Sequence, residues 1–306
     1  MTMKDMKRRT RICLMISAGI MALALILSLA GLGVNLGIDF AGGLAIKYEM
    51  HQAFDQADVE EALRAQGIAE WQISKAGQAQ TELQIRVKEI SDEGVHALRE
   101  GLEGALAPKY PGMDTENAEV GYVGPVAGRT LLSNALYSVL LATVLMLGYI
   151  AIRFDFNSGV AAIAGLLHDV LITLSFMVLL RSFVQVNSSF IAAMLTIVGY
   201  SINNTIVIFD RIRENRKKTA YASLSRVDLV DASVKESLGR TINTSLTTLI
   251  TIVTLYIMGV DAIREFALPI IIGLLSGLYS ANLINGHLWA LLEARRPGNK
   301  ARPKRA

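Results

Sequence analysis

Three stretches of this chain set polar groups among apolar residues, where they could bind or carry an ion. In Gly165-Leu-Leu-His168-Asp169-Val-Leu-Ile-Thr173 an imidazole and a carboxylate interrupt a hydrophobic run. In Gly199 to Asn215 two adjacent amides, Asn203 and Asn204, precede a charged cluster that opens at Asp210. In Ser237-Leu-Gly-Arg240-Thr241 a guanidinium precedes Asn243, Thr244, Ser245, Thr247 and Thr248. Polar side chains at bilayer depth are costly unless they face a protein interior or a wet cavity. Asp169 is the one carboxylate placed deep in such a run. Gly165, Asp169 and Thr173 share a helical face at i, i+4 spacing, and a small-residue face lets a second helix approach closely enough for Thr and Asp to bond across it. Asp169 is therefore either a hydrogen-bonded group that glues helices or one that changes partner as ions pass. Arg240 either snorkels to the interface or reaches inward to Asp169 or to a partner's carboxylate. Asn203 and Asn204 cannot carry a proton but can offer an amide oxygen to a cation or bridge helices.

Other chemistry is poorly supported. His168-Asp169 matches a dipeptide of metal-dependent phosphohydrolases, but the chain has only four histidines, at 51, 96, 168 and 287, and no ligand set follows. Ser201 and Ser245 have no base close by in sequence. No Gly-rich phosphate loop is present. The sequence predicts no catalytic, metal or cofactor site and no enzyme.

The elements that position these residues follow from hydropathy. Of 306 residues, 52% are hydrophobic and 19% charged, with a mean hydropathy of +0.40. Six apolar runs long enough to cross a bilayer lie at roughly 12–34, 131–152, 158–180, 188–209, 241–259 and 266–292. The net charge of +3 hides a partition. Residues 37–122 carry 16 acidic and 7 basic side chains, whereas 1–11, 210–240 and 293–306 are each net basic. Basic residues collect on the cytoplasmic side of membrane segments, so both termini are expected inside and 37–122 outside. The basic tail from Arg295 is read as such an anchor rather than a nucleic-acid patch. Lys7-Arg8-Arg9 followed by apolar residues resembles a cleavable leader; its apolar stretch exceeds the usual signal-peptide core, so it is read as a retained span.

Between the first two spans, Leu44, Ile46 and Tyr48 alternate, as do Leu83, Ile85 and Val87, the period of half-buried strands. Asp58 to Gln66 and Asp92 to Leu102 have helical spacing, and weaker strands fit near Trp71–Ser74 and Ala118–Val123. The expected order is β-α-β-β-α-β, a ferredoxin-like pattern. The predicted organisation is an N-terminus and first helix (1–36), an external α+β domain (37–122), five further helices (123–292) with a cytoplasmic loop at 210–240, and a basic tail (293–306). Gly37, Gly42 and Gly43 flank Asp39 at the junction, suiting either a hinge or a tight, closely packed turn. Asp39 anchors that junction by local bonds or contacts a neighbouring subunit.

These motifs in register resemble the SecF family, the smaller membrane subunit of the SecD–SecF complex. The residues that carry the resemblance are Gly33-Val-Asn-Leu-Gly-Ile-Asp39-Phe-Ala-Gly-Gly43, Leu167 to Thr173, Gly199 to Asn215, and Ser237 to Thr241 with Thr244 to Thr248. The resemblance implies half of a resistance-nodulation-division (RND) fold, with six transmembrane helices, in the bacterial cell (inner or plasma) membrane. It implies SecD, the SecYEG channel, YajC, YidC and exported polypeptides as partners. It also implies a proton or sodium gradient that drives external-domain movements during late export. A small-molecule or lipid exporter is the alternative, although about 85 external residues are few for a substrate cleft. The family reads Ser-Ile-Asn-Asp where this chain has Asn204, while Arg240 matches. Either SecD supplies the working carboxylate, the reading favoured here, or Asp169 takes more of the role, or sodium binds with Asn204 as a neutral ligand.

Overall fold

The computed structural model describes residues 3–76, 81–88 and 90–294; the tail from Arg295 lies outside them. Alternating apolar residues build the unit between the first two long helices. Strands β1 (Gly43–Glu49), β2 (Trp71–Ala76), β3 (Glu82–Val87) and β4 (Glu119–Val123) form one antiparallel sheet ordered β2-β3-β1-β4. Its register pairs Leu44 with Val87, Ile46 with Ile85 and Tyr48 with Leu83. All six are buried, because side chains two apart share one face of a strand. Helices α3 (Gln56–Ala65) and α4 (Asp92–Leu106) cover that face with Val59, Leu63, Leu98, Leu102 and Leu106. Asp55 and Ser91 cap them, accepting from the Ala57 and Gly94 amides. The expected element order is observed.

Among the described residues, six helices are long and apolar enough to cross a bilayer. They are α1 (Met3–Leu29), α5 (Pro125–Arg153), α6 (Phe156–Leu179), α7 (Ser188–Asn215), α8 (Arg226–Met258) and, as a composite, α9 (Asp261–Ser280) running through a π turn (Ala281–Asn285) into α10 (Gly286–Ala294). A four-residue helix, α2 (Ile38–Ala41), joins α1 to the sheet. With its six spans the chain is a polytopic helical membrane protein. Helices α6, α7 and α9 form the buried centre, whereas α1, α5 and α8 keep much of their apolar surface outward.

The segment 210–240, expected as a loop, is mostly helix. α7 continues to Asn215, and α8 begins at Arg226, where Ser225 accepts from the Asp228 amide. Arg, Glu and Lys are good helix formers, so charge ends the membrane run without ending the helix.

The sheet unit packs at one end of the bundle. Gln185, in the α6–α7 connection, donates from Nε2 to Gln72 Oε1 at 3.0 Å, and Arg86 of β3 lies 3.5 Å from Glu265 of α9. The opposite end joins Arg153 to Asp210 and Arg216 to the buried Glu293. The acidic unit and the basic 210–226 segment therefore sit at opposite ends of the bundle.

Candidate ion-coupling site

Asp169 lies in the middle of α6 and is completely buried. Its two oxygens receive four donors from three helices. Ser276 and His168 Nδ1 approach Oδ1 at 2.7 and 2.9 Å. Ser201 of α7 and Ser280 of α9 donate to Oδ2 at 2.6 and 2.8 Å. Four donors satisfy the lone pairs of an ionised carboxylate. On the far side of the imidazole, Nε2 lies 2.9 Å from Ser17 Oγ of α1 and 3.2 Å from the Tyr279 hydroxyl, and these two hydroxyls are 2.9 Å apart. The polar cluster thus joins α1, α6, α7 and α9.

Sequence spacing explains the meeting. Ser276 and Ser280 are one turn apart on α9, so both point at the same carboxylate. Gly277 lies beside the carboxylate between them: a β-carbon there would make ordinary contact, 3.5 Å from both Asp169 Oδ2 and Ser201 Cα. The π turn follows Ser280 directly and carries Asn285, whose amide donates to Thr205 at 2.7 Å. Extra-residue turns of this kind often mark functional places in helices.

The other expected residues are distributed differently. Gly165 packs tightly, since a β-carbon would fall 2.1 Å from Asn285 Oδ1. Thr173 does not bond across the seam; its hydroxyl donates to the Asp169 carbonyl of its own helix. Asn204 is buried, and its amide nitrogen has no hydrogen-bond partner among the described residues. Asn203 is exposed. Arg240 is also exposed and does not join Asp169. The cause is register: Ser237, Thr241 and Ser245 form the inward face of α8, and Arg240 is rotated about 100° from Thr241.

At the junction, Asp39 Oδ2 accepts from the Ser188 amide at 2.9 Å, at the start of α7. Gly37 donates to the Val186 carbonyl, and a β-carbon there would meet Asn187 Cβ at 3.0 Å. Gly42 and Gly43 have φ of 76° and 123°, in the left-handed region that favours glycine. A β-carbon at Gly43 would stand 2.4 Å from the Val87 carbonyl oxygen. These contacts fit the tight-turn reading and give Asp39 a local partner.

Sequence reasoning missed Ser17, Ser276, Tyr279 and Ser280. The available signal was the Ser276–Ser280 spacing inside an apolar run. Among the described residues, no three His, Cys, Asp or Glu side chains gather as a metal site.

The SecD/SecF C-terminal family model (protein export membrane protein) matches residues 105–295, and the SecD/SecF GG motif matches 27–53, which contains Gly42 and Gly43. The chain belongs to the SecD/SecF family. It is 37% identical to protein translocase subunit SecF of Thermodesulfovibrio yellowstonii, over 92% of this chain and 90% of the relative. It is 35% identical to the Rickettsia conorii SecF, over 87% and 84%. A crystal structure of a Thermus SecDF, described as a translocon-associated membrane protein, matches with a TM-score of 0.79 and 34% identity. That match covers 94% of this chain but 38% of the SecDF chain. A SecDF in a super-membrane-facing form matches at 0.66 and 32% identity, covering 96% and 39%. The chain thus spans well under half of the SecDF chains it resembles and most of the separate SecF subunits.

Proposed function

We propose that the chain is the SecF-type subunit of a protein-export complex, working with SecD beside the SecYEG channel, and that an ion gradient moves its outer unit. Family membership supports the export role. The strand order β2-β3-β1-β4 within a β-α-β-β-α-β chain supports a ferredoxin-like reading of the outer unit. The charge partition supports cytoplasmic termini. One elementary charge crossing 100 mV supplies about 2.3 kcal/mol, enough to bias a packed two-state element.

The observation that carries the coupling mechanism is the outward face of α7 and α8. Asn203, Arg240, Asn243, Thr244, Thr247, Thr251 and Thr254 are all exposed on this isolated chain. Thr247, Thr251 and Thr254 donate to carbonyls of their own helix. Asn203, Asn243 and Arg240 are then the groups most in need of a neighbour, since a membrane cation calls for an anionic or carbonyl partner. A SecD helix bearing a carboxylate meets that need. With Asn204 unable to titrate, the working acid facing Arg240 comes from SecD. Loss of a proton from that acid strengthens its pairing with Arg240, gain of one weakens it, and α8 shifts in response.

Replacing the intramembrane carboxylate of SecD by its amide, with this chain unaltered, tests the assignment. Gradient-dependent release of an exported polypeptide is expected to fall at least about tenfold, the effect of about 1.4 kcal/mol. Undiminished release would show that SecD does not supply the acid.

A further inference from the structure

We propose that His168 and Asp169, with Ser17, Tyr279 and Ser280, form a proton-binding site inside this subunit, separate from the acid that meets Arg240. The cluster is built from groups that can reverse their hydrogen bonds without moving heavy atoms. With Asp169 ionised, Ser280 donates to Oδ2 at 2.8 Å. When a proton forms an O–H bond on Oδ2, that bond donates to Ser280 Oγ, and the serine hydrogen turns to the Gly277 carbonyl, 3.4 Å away. The imidazole has the same freedom. Nε2 accepts from Ser17 or Tyr279 when neutral and donates to either when protonated, since hydroxyls serve both roles. One added proton is thus held on Asp169 or on His168, with every partner still satisfied. The titratable neighbour facing the pair is Tyr279 from α9, itself electrostatically linked to Cys13 of α1, whereas α7 presents the neutral Ser201.

The site also reaches the element that carries the outer unit. Among the α1 residues from Arg8 onward, Thr10, Ser17 and Ala24 are the buried ones, at intervals of seven, and Ser17 is the central one. Protonation of His168 reverses its hydrogen bond with Ser17 and turns the serine hydrogen toward Tyr279, so occupancy is sensed at the helix that leads to Gly42 and the sheet. The purpose assigned here rests on the gradient-driven reading above; proton binding itself does not.

The test is pH-difference infrared spectroscopy on the complex with SecD in lipid nanodiscs. The wild-type complex is expected to show a carboxylic-acid C=O band on acidification that Asp169→Asn removes. His168→Gln is expected to move its midpoint by about one pH unit or more, the size of a neighbouring-charge effect. An identical difference spectrum for Asp169→Asn overturns the proposal. If that variant does not assemble, an unmoved midpoint in His168→Gln overturns it instead. Should the band be absent while Arg240→Gln still abolishes gradient-dependent release, only this inference fails. Should Asp169 titrate in a complex whose export ignores the gradient, the proposed function fails and the site stands.

Discussion

A buried polar group is costly unless its hydrogen bonds are made, and the Asp169 carboxyl has four partners, Ser201, Ser276, Ser280 and His168. Removing one donor leaves the acid underserved. Ser276→Ala is expected to lower the stability of the solubilised protein by about 1–3 kcal/mol, read as a fall in thermal midpoint; an unchanged midpoint would mean the hydroxyl contributes nothing. Gly165 presents the converse case, a site with no room. Gly165→Ala places a methyl 2.1 Å from Asn285 Oδ1 and is expected to cost about 1–3 kcal/mol as the π turn shifts. Asp169 was legible in the sequence because a lone carboxylate in an apolar run stands out. Its serine partners were not, because Ser276, Ser280 and Ser17 are weakly polar and nothing local says which helices meet. The direction of Arg240 was not legible, because an exposed polar helix face has the composition of a buried one.

Elements carry the second layer of constraint. The strands could be read directly, since alternation at Leu44, Ile46 and Tyr48 admits one buried face. The charged 210–240 segment could not, because helix propensity there is independent of hydropathy. The GG turn is strained for any other residue: Gly43→Ala is expected to destabilise the link between α2 and β1 by about 1–3 kcal/mol or more, measured as faster proteolysis of the outer unit. Resistance equal to wild type would show that the turn can relax. Within the outer unit, hydrogen bonds from Lys109 and then Tyr110 hold the Asp58 carboxyl below the usual carboxylate range. A depressed acid contributes stability above its unfolded value and loses it as pH falls through the folded one. Lys109→Met is therefore expected to lower the thermal midpoint at neutral pH and to converge with wild type in acid. A difference that persists at low pH would contradict the assignment.

At the scale of the whole molecule, the arrangement is a buried three-helix centre, an acidic sheet unit at one end, a basic segment at the other and a polar face on α7 and α8. The sheet is fastened to the bundle at discrete polar points, Gln72 to Gln185 and Arg86 to Glu265, rather than through a continuous apolar core. Discrete bonds of this kind allow an outer unit to take more than one seat on its base. The central claim is that Arg240 converts a partner's protonation into such a movement. The most direct measurement is the rate at which SecD-containing vesicles release an arrested export substrate, with and without an imposed gradient, for wild type and Arg240→Gln. The account predicts that the gradient accelerates wild type and leaves the variant at the ungraded rate. Equal acceleration of both would contradict it.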